Sequence, residues 1–248
     1  YSDKAGRLRP DVIQGFATQG ATLAIDEIEA MVPAIGELAA AMERELRCAT
    51  SVNCYITFGA FSAFRPHHDL HDVLALQIHG VKRWQSFGTP VAFPVDKIRP
   101  SGPMKPLWDG LMTPGDLLYL PRGEFHAAVP EARPSVHLTI GIHQTTGVEF
   151  LRWLATKVTH IEALRRDLGP LLSGEARLAR DREFSEAARA LLDKATVVEF
   201  FDNQDRERQL RPLASVGGLS ARQPGSRLTP TVALVAAGRR RSYRASET

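Results

Sequence analysis

The hydrophobic pattern changes period along the chain. Up to about residue 47 it is helical. A short helix is expected around Asp11–Phe16 and another over Ile25–Met31. A longer one is expected over Pro33–Arg47, where Ile35, Leu38, Met42 and Leu46 form an apolar stripe and Pro33 sits in the first turn, the one place a helix tolerates a missing N–H. From Thr50 the spacing becomes two. Val52, Cys54, Ile56 and Phe58 alternate with Asn53, Tyr55 and Thr57, which predicts a strand. Val73–His79 is apolar on both faces, as in a strand buried between layers. Gly80-Val81 then reads as a tight turn, with Lys82–Phe87 as the second arm of a hairpin.

Five prolines punctuate residues 88–113, which read as a long loop with short strands and a possible lid. Leu117–Leu120 is expected as a strand between Pro114-Gly115 and Pro121, and Phe125–Val129 and Val136–Ile142 as two more. Many short strands between Gly and Pro signals predict a sandwich or barrel. After Gly147 the helical period returns, with Phe150, Leu151, Leu154, Val158 and Ile161 on one face. A second helix is expected from Arg182 to Phe201, with Phe184, Ala188, Leu191 and Leu192 inward. Beyond Asp205 the chain is rich in Arg, Gly, Ser and Pro, and Gly238-Arg239-Arg240-Arg241 reads as part of a mobile, solvated tail.

Composition narrows the classes. With 248 residues, 44% hydrophobic and 24% charged, the chain is an ordinary globular one. A formal charge of +3 is too weak to argue direct nucleic-acid binding. Two cysteines, Cys48 and Cys54, make no disulfide framework, and a reduced, cytoplasmic setting is expected. No apolar run reaches a membrane span, and residues 1–25 lack the pattern of a signal peptide. The chain opens on Tyr1 rather than Met, as a trimmed chain would.

The candidate chemistry gathers at Pro66-His67-His68-Asp69-Leu70-His71-Asp72. On an extended segment His67 and Asp69 point to one side, so an imidazole and a carboxylate converge. A third ligand would complete the two-histidine, one-carboxylate face used by non-haem Fe(II) oxygenases. His126, after the Pro121–Gly123 turn, is the candidate; His68, His71, His79, His137, His143 and His160 compete. In Lys82-Arg83-Trp84 the two charges fall on opposite faces. One of them must point inward, where an unpaired charge costs several kcal/mol or about that, unless an anion joins it or the mouth of the barrel is wet.

Taken in order, Asn53-x-Tyr55-x-Thr57, Pro66-His67-x-Asp69-x-x-Asp72-Val73, Gly80-x-Lys82-Arg83-Trp84, Pro114-Gly115-Asp116-x-Leu118-Tyr119-x-Pro121-x-Gly123-x-x-His126 and His137-Leu138-Thr139-Ile140 resemble the JmjC-type cupin family of 2-oxoglutarate oxygenases, in the branch of ribosomal oxygenases that hydroxylate protein side chains. The resemblance spans roughly residues 8–150. It implies a mainly β fold with helices: a double-stranded β-helix (jelly-roll or cupin) core, N-terminal helices and a C-terminal helical region. It implies Fe(II) on His67, Asp69 and His126, with 2-oxoglutarate and O₂ as cosubstrates. Lys82 would hold the far carboxylate of 2-oxoglutarate, and Asn53 and Tyr55 would line its pocket. Two departures stand out. Gly141 replaces a Ser common in eukaryotic relatives, and a Trp often found near Thr146-Gly147 is absent.

The expected organisation is an oxygenase domain over residues 1–147, a helical, dimerisation-like region over 148–204 and an Arg-rich segment over 205–248. The expected substrate is an Arg or His side chain of a ribosomal protein or a peptide, with homodimerisation through the C-terminal helices. Alternatives are hydroxylation of a peptide natural-product precursor or a small molecule, and a non-catalytic cupin-like module that binds a peptide or an anion.

Overall fold

The structure, a computed structural model, describes residues 9–60, 64–100, 102–207, 231–236 and 239–244. In chain order its elements are α1 (Pro10–Thr18), β1 (Thr22–Ile25), a 3-10 turn (Ile28–Ala30), α2 (Pro33–Leu46), β2 (Ala49–Thr57), β3 (Asp72–Ser86), β4 (Trp108–Met112), β5 (Leu117–Leu120), β6 (His126–His143), α3 (Gly147–Lys157), a second 3-10 turn (Val158–His160), α4 (Glu162–Arg165), α5 (Gly174–Lys194), α6 (Val197–Glu207), β7 (Thr231–Ala236) and β8 (Arg239–Arg244). The chain divides into two compact units. One runs through Gln144 and takes in the strands after residue 230; the other begins at Thr145.

All strand pairs are antiparallel, in the order β4-β3-β6-β2-β1-β7-β8, with β5 also on β3. The expected hairpin at Gly80 is not there. Asp72–Ser86 is one strand, and β6 is likewise one strand where two short ones were expected. Gly80 has φ +68°, and the register shifts between Gln77 and Lys82, so this glycine makes a bulge rather than a turn. A Cβ there would come within 2.4 Å of the Pro134 carbonyl oxygen. Positive φ serves a turn and a bulge equally, so the sequence signal was real but its meaning depended on the partner strand.

Helix α2 packs on the sheet with Ile35, Ala39 and Met42 rather than the full expected stripe; Leu38 and Leu46 are 41% and 49% exposed. Strand β1 covers β2 only over Cys54–Thr57. Where it stops, two buried carboxylates take over. Glu43 accepts the N–H of Thr50 and Glu29 that of Val52, each at 3.0 Å. They satisfy donors that would otherwise be buried without a partner. Val52, Cys54, Leu138 and Ile140 complete this side of the core. A second cluster holds Val73, Ala75, Trp84, Met112 and Leu120.

Ile25–Met31 is not a helix. Its first residue ends β1, which pairs with β2, and only the 3-10 turn remains helical. In the helical unit α3 begins on a capping box, Thr146 with Glu149, and packs Phe150 and Trp153 against Phe200 of α6. Buried Arg180 of α5 donates to the carbonyls of Ala163, Arg166 and Asp167, closing the end of α4. The expected single helix over 182–201 is two helices, broken at Ala195-Thr196. Phe184 and Leu192, expected inward, are 40% and 50% exposed. Strands β7 and β8 lie where the pattern gave no element; the stretch 208–230 and Gly238 of the expected tail lie outside the described residues.

Leu120 is 3% exposed and Leu117, on the same strand, 57%. Leu120→Ala is therefore expected to destabilise the fold by about 2–5 kcal/mol in chemical denaturation. Leu117→Ala should stay within about 0.5 kcal/mol of the parent.

Candidate metal centre and its cavity

His67 is not on a regular strand. It forms an isolated antiparallel bridge with His126, the first residue of β6. Each donates its backbone N–H to the other's carbonyl, at 3.1 and 2.8 Å. That exchange brings the two rings to 4.5 Å between centroids. Asp69 follows in the loop, and ligand atoms of His67, Asp69 and His126 all lie within 4.8 Å of one another.

The donor chemistry fits a cation. His67 Nδ1 is 3.0 Å from the Arg65 carbonyl and His126 Nδ1 is 2.9 Å from that of Glu124. A carbonyl only accepts, so both Nδ1 atoms carry the hydrogen and both Nε2 atoms keep a lone pair. Burial, and then the neighbouring His67, depress the pKa of His126 to about 4, so it is neutral near pH 7. Burial pushes the Asp69 carboxyl up, but His67, His126 and Lys97 together outweigh it and hold it below the usual range. Asp69 Oδ2 then faces His126 Nε2 at 3.7 Å with no proton between them. Electron pairs from two imidazoles and a carboxylate converge on one point, an arrangement that repels itself unless a cation sits there.

The same cavity, ≈ 230 Å³, is lined by the three candidate ligands and also by Asn53, Tyr55, Thr57, Lys82, Trp84 and His137. Lys82 and Trp84 are each 3% exposed, whereas Arg83 turns outward to Glu131 and Asp109. The Lys82 amine reaches His137 Nδ1 at 2.9 Å and Thr57 Oγ1 at 3.4 Å. Burial lowers its pKa to about 7. The indole N–H of Trp84 is buried with no hydrogen-bond partner among the described residues. Among the described residues, a buried amine with no carboxylate beside it and an orphaned indole donor together make a site for an anion.

Asn53 accepts the Glu27 N–H at 3.3 Å, and Tyr55 stacks on His137 with 5.0 Å between centroids. Of the competing histidines, His71 lines the cavity outside the cluster, its ring tilted against that of His143 with 4.4 Å between centroids. A Cβ on Gly141 would come within 2.8 Å of the His71 ring, so this glycine makes room for that imidazole. The sequence reading missed Lys97, which reaches the Asp69 carboxylate from the proline-rich segment; nothing local in the sequence marks it.

Residues 29–150 match the JmjC domain. The chain carries a JmjC domain. Similar proteins include the bifunctional lysine-specific demethylase and histidyl-hydroxylase NO66 of Drosophila mojavensis, 28% identical over 201 residues, or 76% of this chain and 23% of that protein. The NO66 of Drosophila grimshawi is 31% identical over 146 residues, 56% of this chain and 20% of that protein. The chain thus spans a quarter or less of the length of these curated relatives. Among solved structures, the Escherichia coli ribosomal oxygenase YcfD in complex with cobalt and 2-oxoglutarate covers 88% of this chain and 68% of its own, with a TM-score of 0.51 at 15% identity. That likeness establishes the fold: a JmjC-type, cupin-like double-stranded β-helix core with helices at both ends.

Two outcomes are expected. Co(II) binding by this JmjC chain, followed by isothermal titration, should be lost in His67→Ala and in Asp69→Ala while the far-UV circular dichroism is unchanged. The second concerns pH. A folded Lys82 with a pKa near 7 has lost its proton where the unfolded chain, with an ordinary lysine, still holds it. The unfolded state therefore binds more protons between about pH 7 and 10, so stability of the ligand-free protein should rise with pH across that window. Lys82→Met should flatten that rise in urea titrations.

Proposed function

We propose that this chain is an Fe(II)- and 2-oxoglutarate-dependent oxygenase that hydroxylates an arginine or histidine side chain of a ribosomal protein or peptide. One observation carries the reading: a single cavity holds both a set of two imidazoles and a carboxylate with converging lone pairs and a buried ammonium with no carboxylate beside it among the described residues. A metal chelated by a keto acid whose other end is a carboxylate satisfies both at once. The NO66 relatives are named as hydroxylases, and the YcfD structure is of a ribosomal oxygenase with 2-oxoglutarate; these names support the choice of reaction and of substrate class.

His67, Asp69 and His126 would hold the iron through Nε2, one carboxylate oxygen and Nε2. Bound there with 2-oxoglutarate and O₂, iron would supply the oxidation that puts one oxygen atom into a C–H bond and the other into succinate, with CO₂ released. Lys82 would pair with the far carboxylate, and its ammonium form would be favoured by that anion. Thr57 and His137 hold the amine in place from either side. Trp84 presents its free indole N–H to the same cavity. Tyr55, fixed by its stack on His137, and Asn53, fixed by Glu27, form the wall across which the cosubstrate would lie. The protein's task is to orient the target side chain over the metal and to keep water out.

The same reading places the protein in the cytoplasm as a homodimer. Exposed apolar side chains on the helical unit, including Leu171, Phe184, Leu192 and Val198, support the dimer, and no helix among the described residues is long and apolar enough to cross a membrane.

The test is anaerobic loading with Fe(II) and 2-oxoglutarate followed by admission of O₂. Succinate should form and should increase with ribosomal peptides that gain one oxygen in mass. Lys82→Ala should raise the apparent Michaelis constant for 2-oxoglutarate by about tenfold or more, the loss of one charge-assisted contact. Tight metal and anion binding with no succinate under any peptide would instead leave a cupin-like binding module.

A further inference from the structure

Asp69 offers two oxygens, and they have different partners. Oδ2 faces His126 Nε2, whereas Oδ1 is 3.1 Å from the amine of Lys97. Lys97 lies in the proline-rich segment between β3 and β4, far along the chain from the loop it reaches. Its side chain is 60% exposed, and an exposed ion pair by itself is worth little. This amine, however, is held at two points, because it also donates to the His68 carbonyl at 2.6 Å.

The neighbouring residue fixes the approach. The N–H of Ile98 donates to His68 Nε2 at 2.9 Å. With Nε2 accepting, His68 Nδ1 carries the hydrogen and donates to the Asp69 carbonyl at 3.3 Å. The His68 ring is 1% exposed and packs on Phe125, itself 1% exposed and the residue before His126. His68, Ile98, Lys97 and Asp69 therefore form a closed circuit of contacts at the candidate site, with Phe125 packed on its buried side. His68, which took no part in the site's chemistry, is the buried joint of that circuit.

We infer that Lys97 is a positioning residue for the metal centre: it occupies Oδ1 of Asp69 so that the carboxylate presents Oδ2 alone to the metal. A carboxylate free at both oxygens could bind through both and close a position that the cosubstrates need. Lys97 is also the point at which the proline-rich segment is fastened over the site. The inference rests on the functional reading above.

The test uses the whole chain loaded with Co(II), whose visible absorption reports its coordination number. Lys97→Met should alter that spectrum and, in protein loaded with Fe(II) instead, lower succinate formation from 2-oxoglutarate by about 10–100-fold, the usual cost of losing a group that orients a ligand, with the Michaelis constant for 2-oxoglutarate within about twofold. Lys97→Arg, which can still donate to Oδ1, should restore the wild-type spectrum and most of the turnover. A surface ion pair with no such role predicts a Lys97→Met spectrum superimposable on that of wild type, and that result overturns the assignment of Lys97 alone. A wild-type protein that takes up Co(II) but, loaded with Fe(II) and 2-oxoglutarate under O₂, never forms succinate would count against the oxygenase reading, while the spectra would still decide whether Lys97 orients Asp69. A wild type that takes up no Co(II) would sink both.

Discussion

Two backbone hydrogen bonds, exchanged between His67 and His126, are the join on which the site depends. Neither residue is brought to the other by its own neighbours. His67 lies in the connection between β2 and β3, and His126 opens β6. The bridge fixes their rings, and each ring is then turned by the carbonyl two residues before it, Arg65 for one and Glu124 for the other. The Glu124 carbonyl is itself steady, because that residue's side chain accepts from Ser86, from Thr89 and from the N–H of Gly88. The direction of both Nε2 lone pairs thus follows from main-chain geometry. Asp69, two residues past His67, has only to point the same way.

The cavity carries opposite unmet demands. Near Asp69 three lone-pair donors converge and repel one another. At Lys82 a buried amine has two neutral partners and, among the described residues, no carboxylate, and its pKa falls toward 7 because the ammonium is poorly solvated there. Both demands would be met by ligands of opposite charge, a metal cation and, on the proposed reading, an anionic cosubstrate. A fold that keeps such costs in its empty state gains stability when both are bound. The neutrality of His126 belongs to the same logic, since a protonated imidazole could not coordinate.

The sequence was read well where a segment's own pattern decides its structure. Helix α2 lies within its expected bounds, and β2 lies where the alternation from Val52 placed it. The reading was poorer where pairing decides. Gly80, whose surroundings predict a turn, is a bulge, because β6 continues past it. Ile25, which the pattern places in a helix, ends a strand, because β2 is there to pair with it. On α2 the buried face is offset from the apolar stripe: Ala39, too small to stand out, is fully buried with residues of β2 and β6, while Leu38 and Leu46 are exposed. Glu29 and Glu43 look like surface residues in the sequence and are buried, because two strand N–H groups lie beyond the reach of β1.

The chain by itself determined which residue types could meet an iron and its cosubstrate. His67-x-Asp69, His126 and the Lys82-Arg83-Trp84 alternation are all visible in one dimension, because coordination and charge are properties of side chains. Tertiary structure alone decided which ring nitrogens are free, which of the two adjacent charges is buried, and which oxygen of Asp69 is already taken by Lys97. Those outcomes depend on hydrogen bonds and burial between segments many residues apart. Spacing along the chain carries no record of them.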